Sequence, residues 1–234
     1  QRQMCIRDRL NAYCTSYNFM RVLREGLYTG RIMSKPAKHF DSAVDHLWQV
    51  FVCAQLEFEG AIAVMYPDIL LAPFVRADRL DEKQVRQRIQ GFFYGANRGS
   101  AGRGSESVFA NVIMGLRPEA TWLKGQHVII GGEEKSWTYD EFEEEATLIN
   151  KCFAEMYVEG IKTTGTVFAF PIPNVKVRRE WLKEPDEALT AWAEAETWCG
   201  PVQWELVDAC GCSTRISMCC RLRLYTVHGR WSYN

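Results

Sequence analysis

The sequence predicts an α/β fold, and three observations carry that expectation. Apolar residues recur at helical spacing over residues 37–59 and again from Thr138 to about Tyr157. Thr166 to Ile172 is rich in β-formers and bounded by prolines, the pattern of a buried strand. Near the far end, Ser217-Met218-Cys219-Cys220-Arg221-Leu222-Arg223-Leu224 alternates: in an extended segment Arg221 and Arg223 share one face and Leu222 and Leu224 the other. That octapeptide also sets a chemical question. Adjacent cysteines cannot bond each other without strain, and in a strand they point to opposite faces, so Cys219 and Cys220 cannot share one task.

Composition narrows the class. The chain has 234 residues, 47% hydrophobic and 24% charged, enough to bury a substantial core. Its 28 basic and 29 acidic residues predict no broad polyanion-binding surface, which argues against nucleic acid as a partner. No run of 18 apolar residues is present, so no membrane span is expected, and no secretory signal opens the chain. Nine cysteines is an odd count, and with no export signal it fits a reduced, cytoplasmic compartment better than a disulfide framework.

Taken in order, residues 10–29 carry apolar side chains at 10, 13, 17, 20, 23 and 27, which predicts a helix ending near Gly26 and Gly30, with Cys14 in its first turns. Ser34-Lys35-Pro36 is a helix-start signal, and the stripe at 40, 43, 44, 47, 50, 51 and 54 predicts a long helix from Ala37 to Glu59. His39 and His46 stand seven apart on it, whereas a metal pair needs i, i+4 spacing. Gly60 to Val75 predicts a buried turn leading into another helix, with Pro73 beyond it. A further helix is expected from Asp81 to Tyr94, its basic residues at 83, 86 and 88 facing solvent. The glycine-rich stretch Gly95 to Ser107 fits neither the phosphate loop nor the dinucleotide fingerprint.

Thr138 and Glu141 stand in capping-box spacing before the helix that reaches Tyr157, and the acidic run at 141 and 143–145 is expected to be solvated. Residues 178–198, charged and tryptophan-bearing, predict a surface helix. Cys53 and Cys152 sit among apolar helical residues as packing groups. Cys199, Cys210, Cys212, Cys219 and Cys220 lack paired Cys-x-x-Cys knuckles, so no metal is assigned to them.

The octapeptide 217–224 resembles the cysteine loop of the anaerobic (class III, glycyl-radical) ribonucleoside-triphosphate reductases. Further matches follow in the family's order. Phe168-Ala-Phe-Pro-Ile-Pro173 resembles its Phe-x-Phe-Pro-Ile-Pro strand, and Tyr139–Glu145, Ile149–Glu155 and Val158-Glu159-Gly160 resemble the helix before it. Leu70–Val75, Ser34–Phe40 and Tyr13-Cys14 complete the set, so the resemblance spans about residues 11 to 224. It implies part of a ten-stranded α/β barrel of the glycyl-radical type, the helix-rich N-terminal half, over residues 10–224. Residues 1–9 match nothing in the family and resemble translated adapter sequence, and residues 225–234 leave the family pattern.

The resemblance also implies roles. Cys219 or Cys220 would carry a thiyl radical that takes the 3′-hydrogen of a ribonucleoside triphosphate, and Cys14 would donate a hydrogen from the opposite side of the ribose. Val108–Ile113 would be a barrel strand with Phe109 and Asn111 retained from the family pattern, Ser105, Ser107 and Asn111 lying near substrate. Lys38 and His39 read by themselves as solvated residues of a helix face, the alternative being a place near a triphosphate. The glycyl-radical loop and four-cysteine zinc site of the family lie far toward the C-terminus, and neither is expected in this chain. Alone it is therefore expected to be incompetent, needing the rest of the gene product, a radical S-adenosylmethionine activase and, at full length, a homodimer. Two other possibilities compete: a non-catalytic relic or interaction module of the same fold, and another glycyl-radical enzyme such as a formate-lyase relative. The Cys-Cys pair permits the latter, and Arg-Leu-Arg-Leu argues against it.

Overall fold

The computed structural model describes residues 14–30, 32–58, 60–98, 108–160, 164–199, 202–207, 213–215, 225–227 and 230–232. The expected first helix is two elements. Strand β1 (Thr15–Tyr17) comes first, then helix α1 (Phe19–Glu25). Asn18 separates them: its extended backbone and its side chain, which accepts from the Met20 amide at 3.1 Å, start the helix there. Tyr17, one of the apolar positions that suggested a continuous helical stripe, therefore belongs to a strand.

Two short strands, β2 (Leu27–Tyr28) and β3 (Met33–Ser34), lead to helix α2 (Phe40–Gln55), which buries the expected apolar stripe. The segment expected to be a buried turn is strand β4 (Ile62–Met65), followed by helix α3 (Pro67–Asp78), with Pro73 inside the helix rather than beyond it. Helix α4 (Glu82–Ala96) opens with a capping box in which Asp81 accepts from the Gln84 amide and Gln84 accepts from the Asp81 amide. Strand β5 (Ala110–Met114) is the expected barrel strand, shifted by one or two residues. Strands β6 (His127–Ile130) and β7 (Glu133–Thr138) form a hairpin. Gly131 and Gly132, both at positive φ, supply the two-residue turn whose twist suits paired strands.

The Thr138–Glu141 capping box is present, starting a short 3-10 turn that runs into helix α5 (Glu143–Glu159). The next strand, β8, is Ile172–Val177, so the β-rich run 166–172 mostly precedes it. The reason lies far off in the chain. Asn97 captures the backbone there, its Oδ1 accepting from the amides of Ala169 and Phe170 and its Nδ2 donating to the Phe170 carbonyl, so these groups bond a side chain instead of a ladder. The expected surface helix is α6 (Glu187–Cys199), and it is not a surface element: Trp192 is fully buried where α6 packs along α5. Strands β9 (Gln203–Val207) and β10 (Ser213–Arg215) follow, then a two-stranded hairpin of β11 (Tyr225–Val227) and β12 (Arg230–Ser232).

The main sheet has the order β1-β4-β5-β8-β9-β10, parallel except for the antiparallel β9–β10 pair. Its parallel strands are added in chain order, always on the same side. Crossovers between parallel strands are right-handed almost without exception, so a sheet wound in one direction keeps its helices on one face. Burial follows suit. Ile62, Val64, Ala110, Val112, Met114, Val175 and Val177 alternate into the core, while the residues between them stay partly open.

The helical layer is tied to the sheet by one buried polar chain. Asp68, fully buried in the first turn of α3, accepts from the amides of Gly115 at 3.0 Å and Leu116 at 2.8 Å and from Asn150 Nδ2 at 2.9 Å. Asn150, also fully buried, accepts in turn from the Trp192 indole at 2.9 Å. Four elements thus meet without an unpaired amide among these groups, as burial of polar groups demands. Burial pushes the Asp68 carboxyl above its ordinary range, although all its partners are donors that favour the carboxylate. Ion pairs join the helices outside the core. Arg86 does not face solvent freely but pairs with Glu155 at 3.0 Å and with Glu159, and Arg76 holds Glu145 of the acidic run in a two-pronged pair while its guanidinium lies over the Phe142 ring.

Candidate functional site

The face of the sheet away from the helices collects polar side chains by the two-residue alternation of its strands. In β1, Ser16 lies opposite Ala63 of β4, which lies opposite Asn111 of β5, which lies opposite Ile172 of β8. The next positions on that face are Met65, Ile113, Asn174 and Gln203, and the next on β8 and β9 are Lys176 and Glu205. Asn174 donates its amide to the Asn111 side-chain oxygen across the strand pair, confirming that the two share this face. Each is half-buried.

Cys14 directly precedes β1. Its neighbour Thr15 donates to the Ala61 carbonyl at 3.1 Å, and alternation puts Cys14 on the Ser16 side, in the row of Ala61, Phe109 and Phe170. Its thiol is free and exposed. Phe109 and Phe170 meet edge to face, 5.4 Å between centroids, so the row runs from a thiol over a small alanine to an aromatic pair. The thiol is therefore at the start of a strand, and not in a helical turn as the periodicity had suggested.

Cys14 and Asn111 are the expected site residues that this face brings together. Lys38 and His39 lie elsewhere. His39 precedes α2 with its Nδ1 2.9 Å from Asp78, whose other oxygen caps the helix by accepting from the Phe40 amide at 2.7 Å. Lys38 lies along Gly131 in the β6–β7 turn. Ser105, Ser107, Cys219 and Cys220 fall outside the described residues. Of the two cysteines assigned to packing, Cys152 is fully buried, its thiol pushed up to about 12 by burial, and Cys53 is half-buried with its thiol also raised.

Sequence patterns did not single out the residues that fix the C-terminal ends of the strands. The loop after β5 is clamped to the loop after β8: Arg117 pairs with Asp186 at 2.7 Å and stacks over Trp181, the Trp181 indole donates to Glu119 at 2.9 Å, and Arg178 donates to the Glu119 carbonyl. Gly115 is required at the β5 end, since a Cβ there would lie 2.5 Å from Ile69 Cδ1 and 2.8 Å from Thr121 Cγ2. Ligands of α/β barrels are held at the C-terminal ends of the strands, the end that this clamp fixes. Among the described residues, no cluster of three or more histidine, cysteine or acidic side chains is placed to hold a metal ion, and no helix is long and apolar enough to cross a membrane.

Solved structures share this fold. The anaerobic ribonucleotide reductase from Thermotoga maritima in complex with dATP and CTP superposes with a TM-score of 0.69 at 19% identity, over 86% of this chain and 34% of that one. The same organism's enzyme with citrate in the active site gives 0.66 at 18% identity over 86% and 36%, and with glycerol in the active site 0.67 at 20% over 86% and 33%. The chain thus spans about a third of the length of these proteins, and it shares their barrel-type fold over 86% of its own length. No curated protein matches the sequence. The sequence model of the anaerobic ribonucleoside-triphosphate reductases matches residues 6–234, nearly all of it, and the chain belongs to that family.

Proposed function

We propose that the chain is part of a ribonucleoside-triphosphate reductase and contributes one wall of its catalytic barrel. The observation that carries this reading is the position of Cys14 at the start of an edge strand, on the same polar sheet face as the Asn111–Asn174 pair. The chemistry asks for such a face. Replacing a 2′-hydroxyl at an unactivated carbon is beyond ordinary polar side chains and calls for radical steps in a site that shuts out competing reactions.

In this reading Cys219 or Cys220 holds the thiyl group that takes the ribose 3′-hydrogen. Cys14 donates a hydrogen atom to C2′ as its hydroxyl leaves as water, the loop cysteine returns the 3′-hydrogen, and an external electron donor supplies the two reducing equivalents that the net reaction consumes. Asn111, paired with Asn174, offers amide donors and acceptors to the sugar hydroxyls, with Ser105 and Ser107 contributing from the chain before β5. The glycyl radical installed by a radical S-adenosylmethionine activase supplies the unpaired electron when the full enzyme is assembled, as a cytoplasmic homodimer with its C-terminal zinc site. The contacts of Lys38 and His39 run to the hairpin and to Asp78, and the reading does not draw on them.

The test is turnover in the complete, activated enzyme carrying this segment. Cys14→Ala should abolish deoxyribonucleotide formation while nucleotide binding persists, and one of Cys219→Ala or Cys220→Ala should do the same. Undiminished turnover in Cys14→Ala, or in both loop variants, would overturn the reading.

A further inference from the structure

On the same sheet face, and resting on the reading above, we propose that Lys176 is the anion-binding group of the site and takes the phosphates of a nucleoside triphosphate. Lys176 is half-buried, two residues beyond Asn174 on β8, so its Cα lies about 7 Å farther toward the C-terminal rim. That is the direction in which the phosphate chain of a nucleotide would run if its sugar met the Asn111–Asn174 pair. Ligands of parallel α/β sheets bind outside the carboxyl ends of the strands, the end at which Lys176 stands.

The ammonium is held but not neutralised. It lies 5.2 Å from the centroid of the Tyr66 ring, the residue that follows β4 and starts α3 in a left-handed conformation. The Tyr66 ring borders Gly115 just after β5, where an added Cβ would come within 3.2 Å of it. The ends of three neighbouring strands therefore converge on one cation. An aromatic face orients a lysine and leaves its full positive charge for an anion. Other half-buried cations near this layer are committed to carboxylates, Arg86 to Glu155 and Glu159, Arg117 to Asp186 and Lys151 to Glu187, whereas Arg178, two residues beyond Lys176, donates to the Glu119 backbone carbonyl and keeps a buried Nε without a partner among the described residues. Lys176 makes no ion pair among the described residues. Glu205 stands opposite it on β9, in register but without an ion pair, and its carboxylate opposes anion binding at this point.

Equilibrium binding to the 234-residue chain tests the assignment, with inorganic tripolyphosphate, CTP and cytidine as separate probes and far-UV circular dichroism verifying each variant's fold. Lys176→Gln should weaken tripolyphosphate and CTP at least tenfold, flatten the salt dependence of both, and leave cytidine unchanged. Glu205→Gln, which keeps the lysine, should tighten tripolyphosphate, and Lys151→Gln on the helical layer should change nothing. Wild-type chain that ignores tripolyphosphate, or Lys176→Gln that binds it as wild type does, would overturn the assignment. The two proposals separate cleanly: Lys176-dependent tripolyphosphate binding with no gain from the nucleoside upholds the lysine and counts against the reductase reading, whereas CTP binding indifferent to Lys176 does the reverse.

Discussion

Replacing Asn150 by leucine, close to it in size, should cost the fold about 3–5 kcal/mol, and the figure follows from three contacts. Asn150 is fully buried and sits between a carboxylate and an indole: it donates to Asp68 at 2.9 Å and accepts from Trp192 Nε1 at 2.9 Å. It also donates to the Ala146 carbonyl at 2.8 Å, which retains its place in the helix and adds little. Losing a hydrogen bond to a charged group costs about 1.5–3 kcal/mol, and stranding a buried donor such as the indole about 1–3 kcal/mol. Leucine brings apolar burial but satisfies neither partner. Against a total stability of about 5–15 kcal/mol, the loss is a large fraction. Equilibrium urea unfolding followed by far-UV circular dichroism measures it. Trp192→Phe removes the donor and should cost about 1–2 kcal/mol alone. In the double variant the indole is no longer stranded, so the combined cost should fall short of the sum by about 1 kcal/mol or more. An Asn150→Leu cost below about 1 kcal/mol, or strict additivity in the cycle, would refute the view that this chain of donors and acceptors fastens α5 and α6 to the β5 rim.

Other expectations rest on single sites. Gly115→Ala should destabilise by about 1–3 kcal/mol in the same unfolding assay, because the new methyl meets side chains of the packed rim and not a flexible tip. Cys14 should alkylate in the native chain well before Cys152, which is fully buried with its thiol raised to about 12; peptide mass mapping after timed iodoacetamide treatment reads the order. His46 is 5% exposed, its Nδ1 has no partner among the described residues, and burial lowers its pKa below the ordinary 6.5 despite the neighbouring Asp45. The unfolded chain therefore takes up a proton near 6.5 that the fold resists, so this residue's contribution to stability is intact above 6.5 and is lost as pH falls toward the lowered value. His46→Leu should remove that part of the slope, so urea midpoints of the two proteins should diverge below about pH 6.5 in favour of the variant.

How far the sequence reached depended on whether a signal was local. The α2 stripe and the Thr138–Glu141 capping box are decided by residues three or four apart, and each forms where its spacing predicts; the helix expected from Asp81 is also present, and its Asp81–Gln84 capping box was not read from the sequence. β1 and β4 were missed because three- and four-residue strands are too short to show alternation. Their pairing with each other and with β5 comes from across the chain. The start of β8 was misplaced because Asn97, more than seventy positions earlier, takes the backbone amides that the β-rich composition had assigned to a ladder. α6 looked like a surface helix because the charged residues just before it, Arg178 to Asp186, were read together with it, while the partner that buries Trp192 lies on α5. In the site, Cys14 and Asn111 came from motif resemblance, whereas Asn174 and Lys176 needed the strand register to join them to that face.

The direction of winding is what connects these pieces to chemistry. Had strands been added alternately to both sides, helices would cover both faces and only the crevice at the reversal point would be free for a ligand. Here every parallel strand from β1 to β9 extends the sheet the same way. Among the described residues the crossover helices keep to one face of the sheet, and the alternation of each strand decides what lines the other. The core takes valine, isoleucine and alanine from one parity. The other parity mixes Ala63, Met65, Ile113 and Ile172 with Ser16, Asn111, Asn174, Lys176, Gln203 and Glu205, and its polar members, costly to bury without partners, are matched to a sugar and its phosphates. The clamp from Arg117 to Asp186 and the Asp68 chain then serve a purpose beyond stability, since they hold the strand ends from which Asn174 and Lys176 must meet one ligand with little freedom to shift.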